Sequence, residues 1–271
     1  MVYLSEAFRF ILYSTVLTAI AATTLYAGVA YKKEVLDPFM AAFIGTTTWS
    51  LYLVHRIIKV RLGAITDARL RYWLIRNFRT LLFLVSFLFV SSLLLLLQLN
   101  LTWNQYNYLF LFSLVGSWYI IPLAGKALRD VPLIKSILVS TVWTFHLFFF
   151  PFDRHLDSIT EALEPLSWFL FFYALTIPFD SRDSEHDDRS MKTLPQLIGR
   201  KRASTIAVLC IVGFGCTTQI FELTMGNLII FWSILVLLSL TFVWFIRPKP
   251  FIMYSLFDLL MLLLGLSYFI N

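Results

Sequence analysis

The sequence predicts an all-α membrane protein: a bundle of nine transmembrane helices forming one domain over residues 1–271. Three observations predict this. Hydrophobic residues make up 59% of the chain and its mean hydropathy is +0.78, the composition of an integral membrane protein. Apolar stretches of about 20 residues, the length that crosses a bilayer as a helix, occupy nearly the whole chain and leave no room for a soluble domain. The basic residues also fall almost entirely on one side of the proposed spans.

The first span, 8–30, is long and lacks a small-residue cleavage pattern, so it reads as a retained helix and not as a removed signal peptide. The second and third are 36–58 and 77–98, the third ending in the Leu93–Leu97 run. The fourth, 104–123, begins beside Trp103, Tyr106 and Tyr108, an aromatic belt of the kind found at an outer interface. The remaining spans are 133–151, 162–180, 203–222, 226–246 and 250–270, and the last contains Asp258. An ionisable residue inside a span is costly and invites a functional reading.

With these nine spans, 19 of the 22 Lys and Arg residues lie on one side, and only Lys32, Lys33 and Arg154 lie on the other. The positive-inside rule places the N-terminus and the charged loops in the cytoplasm and the C-terminus outside. The net charge of +6 is thereby a matter of topology. It is no sign of nucleic-acid binding, because the basic residues border apolar spans. Cys210 and Cys216 share one predicted helix about 9 Å apart along its axis. That exceeds the ~7 Å Cα limit of a disulfide.

Chemistry concentrates after the sixth span. Asp180, Asp183 and Asp187 stand at i, i+3 and i+7, which places three carboxylates on one helical stripe. Like charges so close at a membrane surface call for a cation, and Mg²⁺ prefers oxygen ligands of this kind. Two further cytoplasmic loops are basic. One runs from Tyr52 to Arg79; the other holds Tyr119, Pro122, Lys126, Arg129 and Lys135. Carboxylates beside Lys and Arg at the mouth of an apolar bundle suit a diphosphate head group on a hydrocarbon tail.

The stretch Asp180-x-Arg182-Asp183-x-Glu185-x-Asp187, followed by Thr193-Leu194-Pro195 and Gly199, resembles the second Asp-rich motif of the UbiA superfamily of intramembrane prenyltransferases. The loop from Tyr119 through Pro122 to Lys126, Arg129 and Lys135 is similar to that family's basic loop between its fourth and fifth helices. The resemblance covers most of the chain and implies a prenyltransferase-like domain of nine helices. It also implies an isoprenoid diphosphate as substrate, a hydrophobic acceptor in the bilayer, and Mg²⁺ held by Asp180, Asp183 and Asp187, which would be both metal ligands and catalytic residues. Tyr119, Lys126, Arg129, Arg182 and Lys192 would bind the diphosphate.

The chain departs from the family at the first Asp-rich motif. Where the second span meets the cytoplasm, the residues are Tyr52, His55, Arg56 and Lys59, and no acidic residue occurs between Asp37 and Asp67. One of the two expected metal-binding faces is absent, and a cationic stripe stands in its place. His55, Arg56 and Lys59 are therefore further candidates for binding the diphosphate directly. The expected function is binding of an isoprenoid diphosphate, with prenyl transfer to a membrane acceptor as its active form. The alternatives are a non-catalytic relative that binds a polyprenyl lipid or supports a membrane complex, and a small transporter using Asp258.

Overall fold

The computed structural model describes residues 5–61, 63, 65, 67–120, 128, 131, 133–153, 159–184, 192–219, 225–244 and 255–270. Among these residues the chain is all-helical, with no strand, as the sequence predicts. It divides into two compact units, one of residues 1–100 with 251–270 and the other of residues 101–250.

The first unit opens with a short helix, α1 (Glu6–Tyr13), capped by Ser5, whose hydroxyl accepts from the Phe8 N–H at 3.3 Å. The helix breaks at Ser14 and Thr15, where Thr15 takes the left-handed φ of 63°, and α2 (Val16–Lys32) sets off at 57° to α1. The span expected over 8–30 is made of two helices bent on each other. Next come α3 (Pro38–Arg61), α4 (Ala68–Arg76), α5 (Phe78–Gln98) and, at the end of the chain, α12 (Ser255–Ser267).

Helix α4 lies in the stretch expected as a basic loop. The Asp67 carboxylate caps it, accepting from the N–H groups of Arg69 and Leu70, each at 2.9 Å. Its residues Leu70, Trp73 and Leu74 lie on one face and join Leu12, Tyr13, Leu53 and Ile57 in a buried cluster.

Helix α3 runs antiparallel to α2: its Trp49 and Gly45 meet Ser14 and Thr23 in turn. Helix α5 runs antiparallel to α3, linked by Ser92 to Thr46 at 3.0 Å near one end and by Arg61 over the Phe78 ring at the other. Helix α12 instead runs parallel to α2. Thr18 meets Asp258 early in both helices, and Gly28 meets Gly265 farther along both. A Cβ on Gly28 would stand 2.2 Å from the Gly265 carbonyl oxygen, and one on Gly265 would stand 2.6 Å from the Leu25 nitrogen. This is the close backbone approach that small residues allow between packed helices.

The second unit contains α6 (Trp103–Ile120), α7 (Ile134–Thr144) with a π-helical turn Phe145–Phe149, α8 (Ile159–Asp183), α9 (Leu194–Ile198), α10 (Arg200–Gln219) and α11 (Met225–Trp244). Its core is aromatic. Phe148 stacks on Trp168 at 4.0 Å, and Phe171, Phe214 and Phe231 continue the cluster. Such ring pairs add to the free energy of the area they bury. Sequence neighbours are again antiparallel, α7 on α8, α8 on α10 and α10 on α11.

Among the described residues, two helices are long and apolar enough to cross a membrane, Phe78–Gln98 and Ala162–Arg182. The bent pair of α1 and α2 makes a third if it is taken as one span. The segments Ile134–Phe149, Ile230–Trp244 and Ser255–Ser267 are apolar but shorter. Helix α3 has the length, but Thr46, Thr47 and Thr48 dilute its apolarity. The first two hydroxyls are satisfied by carbonyls one turn back in the same helix.

Candidate functional site

The acidic stretch begins in the last turn of α8. Pro178 lies inside that helix, and the helix ends at Asp183. The Ser184 N–H donates to the Asp180 carbonyl at 2.9 Å. The turn is tied down from beyond: Arg200 Nη2 donates to Ser184 Oγ at 3.1 Å, and Gln196 Nε2 to the Ser184 carbonyl at 3.4 Å.

The Thr-Leu-Pro…Gly pattern has a local structural cause. Thr193 is the N-cap of α9, and its N–H donates to the Gln196 side chain at 2.9 Å in a capping box. Pro195 needs no donor in the first turn. Gly199 ends the helix at φ +83°, a backbone conformation that a side chain would strain. The motif therefore folds the chain back from α8 into α10.

Asp180 is buried, with 3% of its side chain exposed. Its Oδ1 lies 3.1 Å from the ammonium of Lys135, which is itself 17% exposed, and its Oδ2 accepts a hydrogen bond from the Ser136 hydroxyl. Both partners belong to the first turn of α7, and the N-terminus of a helix favours a nearby negative charge. Asp180 thus meets an ammonium, a hydroxyl and a helix N-terminus. Sequence reading gave Lys135 to the basic loop without choosing it as a site residue, and missed Ser136. Forty-five positions separate Lys135 from Asp180, and no local pattern marks the pairing.

The other expected site residues of this unit are less closely joined. Asp183 is the last residue of α8, but its side chain lies outside the described residues, as do Asp187, Lys126 and Arg129. The Arg182 guanidinium sits over the Phe179 ring at 5.6 Å, a cation–π contact. Lys192 is exposed at φ 43°, just before the Thr193 cap. Tyr119 is half-buried near the end of α6. Among the described residues, no group of three or more His, Cys, Asp and Glu is placed to hold a metal ion.

His55, Arg56 and Lys59 belong to the first unit, near the end of α3, each partly buried. Arg56 has a structural task. Its Nη1 donates to the Leu12 carbonyl at 3.2 Å and also to the Tyr13 carbonyl. Trp49 Nε1 donates to the Ser14 carbonyl at 2.8 Å. These are carbonyls at the end of α1, where the helical ladder stops, and such groups need other donors. Helix α3 thus holds the bend open with an indole and a guanidinium. Asp258, which had no evident partner in the sequence, accepts from the Thr18 hydroxyl at 3.0 Å.

No protein-family model matches this chain, and no curated protein sequence matches it.

Proposed function

We propose that this chain is a multi-pass membrane protein on a UbiA-like, prenyltransferase-like scaffold, and that it binds an isoprenoid diphosphate at the polar end of α7 and α8. The observation that carries this reading is the meeting of Lys135 with Asp180. It joins the two stretches on which the family resemblance rests, the basic loop and the acidic segment, at the end of an apolar helix. Cationic side chains there suit the diphosphate, and the apolar helix leading away from them suits a hydrocarbon tail.

Nine crossings belong to the same reading. Helices α2 and α12 run parallel, so the number of crossings between them must be odd. The seven expected in between satisfy that condition. The basic asymmetry then puts the N-terminus and the site loops in the cytoplasm and the C-terminus outside.

Mg²⁺, expected from the resemblance, does not fit Asp180 as the structure places it. Both of its carboxylate oxygens are already engaged, by a cation and a hydroxyl. The same fact favours a second reading, a non-catalytic relative that binds the diphosphate without transferring its prenyl group. The lack of any acidic residue between Asp37 and Asp67, where the first acidic motif is expected, points the same way.

The test uses purified protein in lipid nanodiscs. Binding of farnesyl diphosphate should be at least tenfold tighter than binding of farnesol, and equal affinities would overturn the proposal. Mg²⁺-dependent release of diphosphate from geranyl, farnesyl and longer diphosphates then separates the enzyme from the non-catalytic relative.

A further inference from the structure

The geometry points to Lys135 as the resident cation of Asp180, occupying the place on this carboxylate that a divalent ion would take. The inference concerns the site proposed above, but it rests on the ion pair alone. Asp180 is almost fully buried, so its charge must be balanced within the protein. Lys135 does this at 3.1 Å, and Ser136 takes the second oxygen. Both come from consecutive positions in the first turn of α7, so the helix that supplies the ammonium also supplies the hydroxyl and its own N-terminal dipole.

A divalent ion entering here would have to expel the ammonium. Mg²⁺ demands near-octahedral oxygen coordination and sheds its water reluctantly. A cation already built into the chain makes neither demand. Asp180 is then a positioning residue that holds Lys135 fixed at the mouth of α7. Any metal bound by the acidic segment must be held without it.

Mn²⁺ binding, followed by the loss of the free-ion electron paramagnetic resonance signal, tests this with no prenyl ligand present. Failure of the diphosphate reading is therefore a separate result. Wild type and the neutral pair Lys135→Met with Asp180→Leu should bind Mn²⁺ alike, within about twofold. Lys135→Met alone should expose a site at least tenfold tighter, which disappears when Asp180→Leu is added. A wild-type site weakened tenfold in the neutral pair would overturn the inference, since Asp180 would then be a metal ligand already. A folded Lys135→Met protein with no new site would overturn it too, since Lys135 would not stand in a metal's place. If Lys135→Met does not fold, the comparison of wild type with the neutral pair still decides. The pair Lys135→Gln with Asp180→Asn serves as a second neutral version.

Discussion

Asp180 and Asp258 are both carboxylates on apolar helices, and the protein stabilises them in opposite ways. Asp180, in the second unit, has an ammonium and a hydroxyl, both from the first turn of α7. Among the described residues, Asp258, in the first unit, accepts from one hydroxyl, that of Thr18, which lies 240 residues away in sequence. The Arg56 guanidinium, also in the first unit, donates to the carbonyls at the end of α1. Direct neutralisation makes Asp180 part of a buried ion pair that fails if either member is removed. Asp258 depends on how closely α2 and α12 approach, and so on the glycines between them.

The largest effect should come from breaking the ion pair. Lys135→Ala leaves a buried carboxylate uncompensated, and removing one partner of such a pair typically costs about 3–5 kcal/mol. Thermal unfolding in detergent should show this as a large fall in Tm. The neutral pair Lys135→Met with Asp180→Leu should stay within about 1 kcal/mol of wild type, because well-packed apolar residues replace a buried ion pair at little cost. A single change as mild as the double one would show that Asp180 reaches water or another cation once Lys135 is gone.

Next comes the bend in the first unit. Arg56→Met removes the donor to the Leu12 and Tyr13 carbonyls. Leaving buried acceptors unsatisfied should cost about 2–3 kcal/mol. Arg56→Lys keeps the charge and should recover part of the loss. If the two variants melt together, the guanidinium's hydrogen bonds are not what supports the bend.

These same residues show how far the sequence could be read. The helical class followed from apolar stretches of the right length, and the expected span 162–180 falls within α8. The Thr193–Gly199 stretch carried a signal whose cause is local: a cap, a proline and a glycine. The bend at Ser14 carried none, because neither Gly nor Pro marks it. It depends on Trp49 and Arg56, which reach it from another helix. Helix α4 had a readable signal in Asp67 followed by Leu70, Trp73 and Leu74, but the arginines around it made the segment look like a solvated loop. The Lys135–Asp180 pair is tertiary, so sequence spacing could not announce it. Asp183, Asp187, Lys126 and Arg129, on which the rest of the expected site depends, lie in whole or in side chain outside the described residues.

A third change tests the approach of α2 and α12 directly. Gly265→Ala places a methyl group 2.6 Å from the Leu25 nitrogen, a backbone atom that cannot swing aside. Overpacking of this kind costs about 1–3 kcal/mol. It should also separate Asp258 from Thr18, so that Asp258→Asn adds little in the Gly265→Ala background. Full additivity of the two changes would mean that the helices reach Thr18 and Asp258 independently of the glycine contact.

The smallest effect should come from Asp258→Asn itself. The Asn side-chain carbonyl keeps an acceptor for the Thr18 hydroxyl, so the hydrogen bond from Thr18 survives. What is lost is the charge, which strengthens that hydrogen bond but carries a desolvation cost, with no salt bridge to Asp258 among the described residues to offset it. The two effects oppose each other, and the change should shift stability by no more than about 1 kcal/mol in either direction, far below the cost of Lys135→Ala. Asp258→Leu also removes the acceptor and should lose about 1 kcal/mol more, the net value of an ordinary hydrogen bond. Thermal unfolding of the two variants beside wild type gives the order. A fall of 3 kcal/mol or more for Asp258→Asn would contradict the contrast between the carboxylates. It would mean that the charge of Asp258, not its hydrogen bond, holds α12 in place.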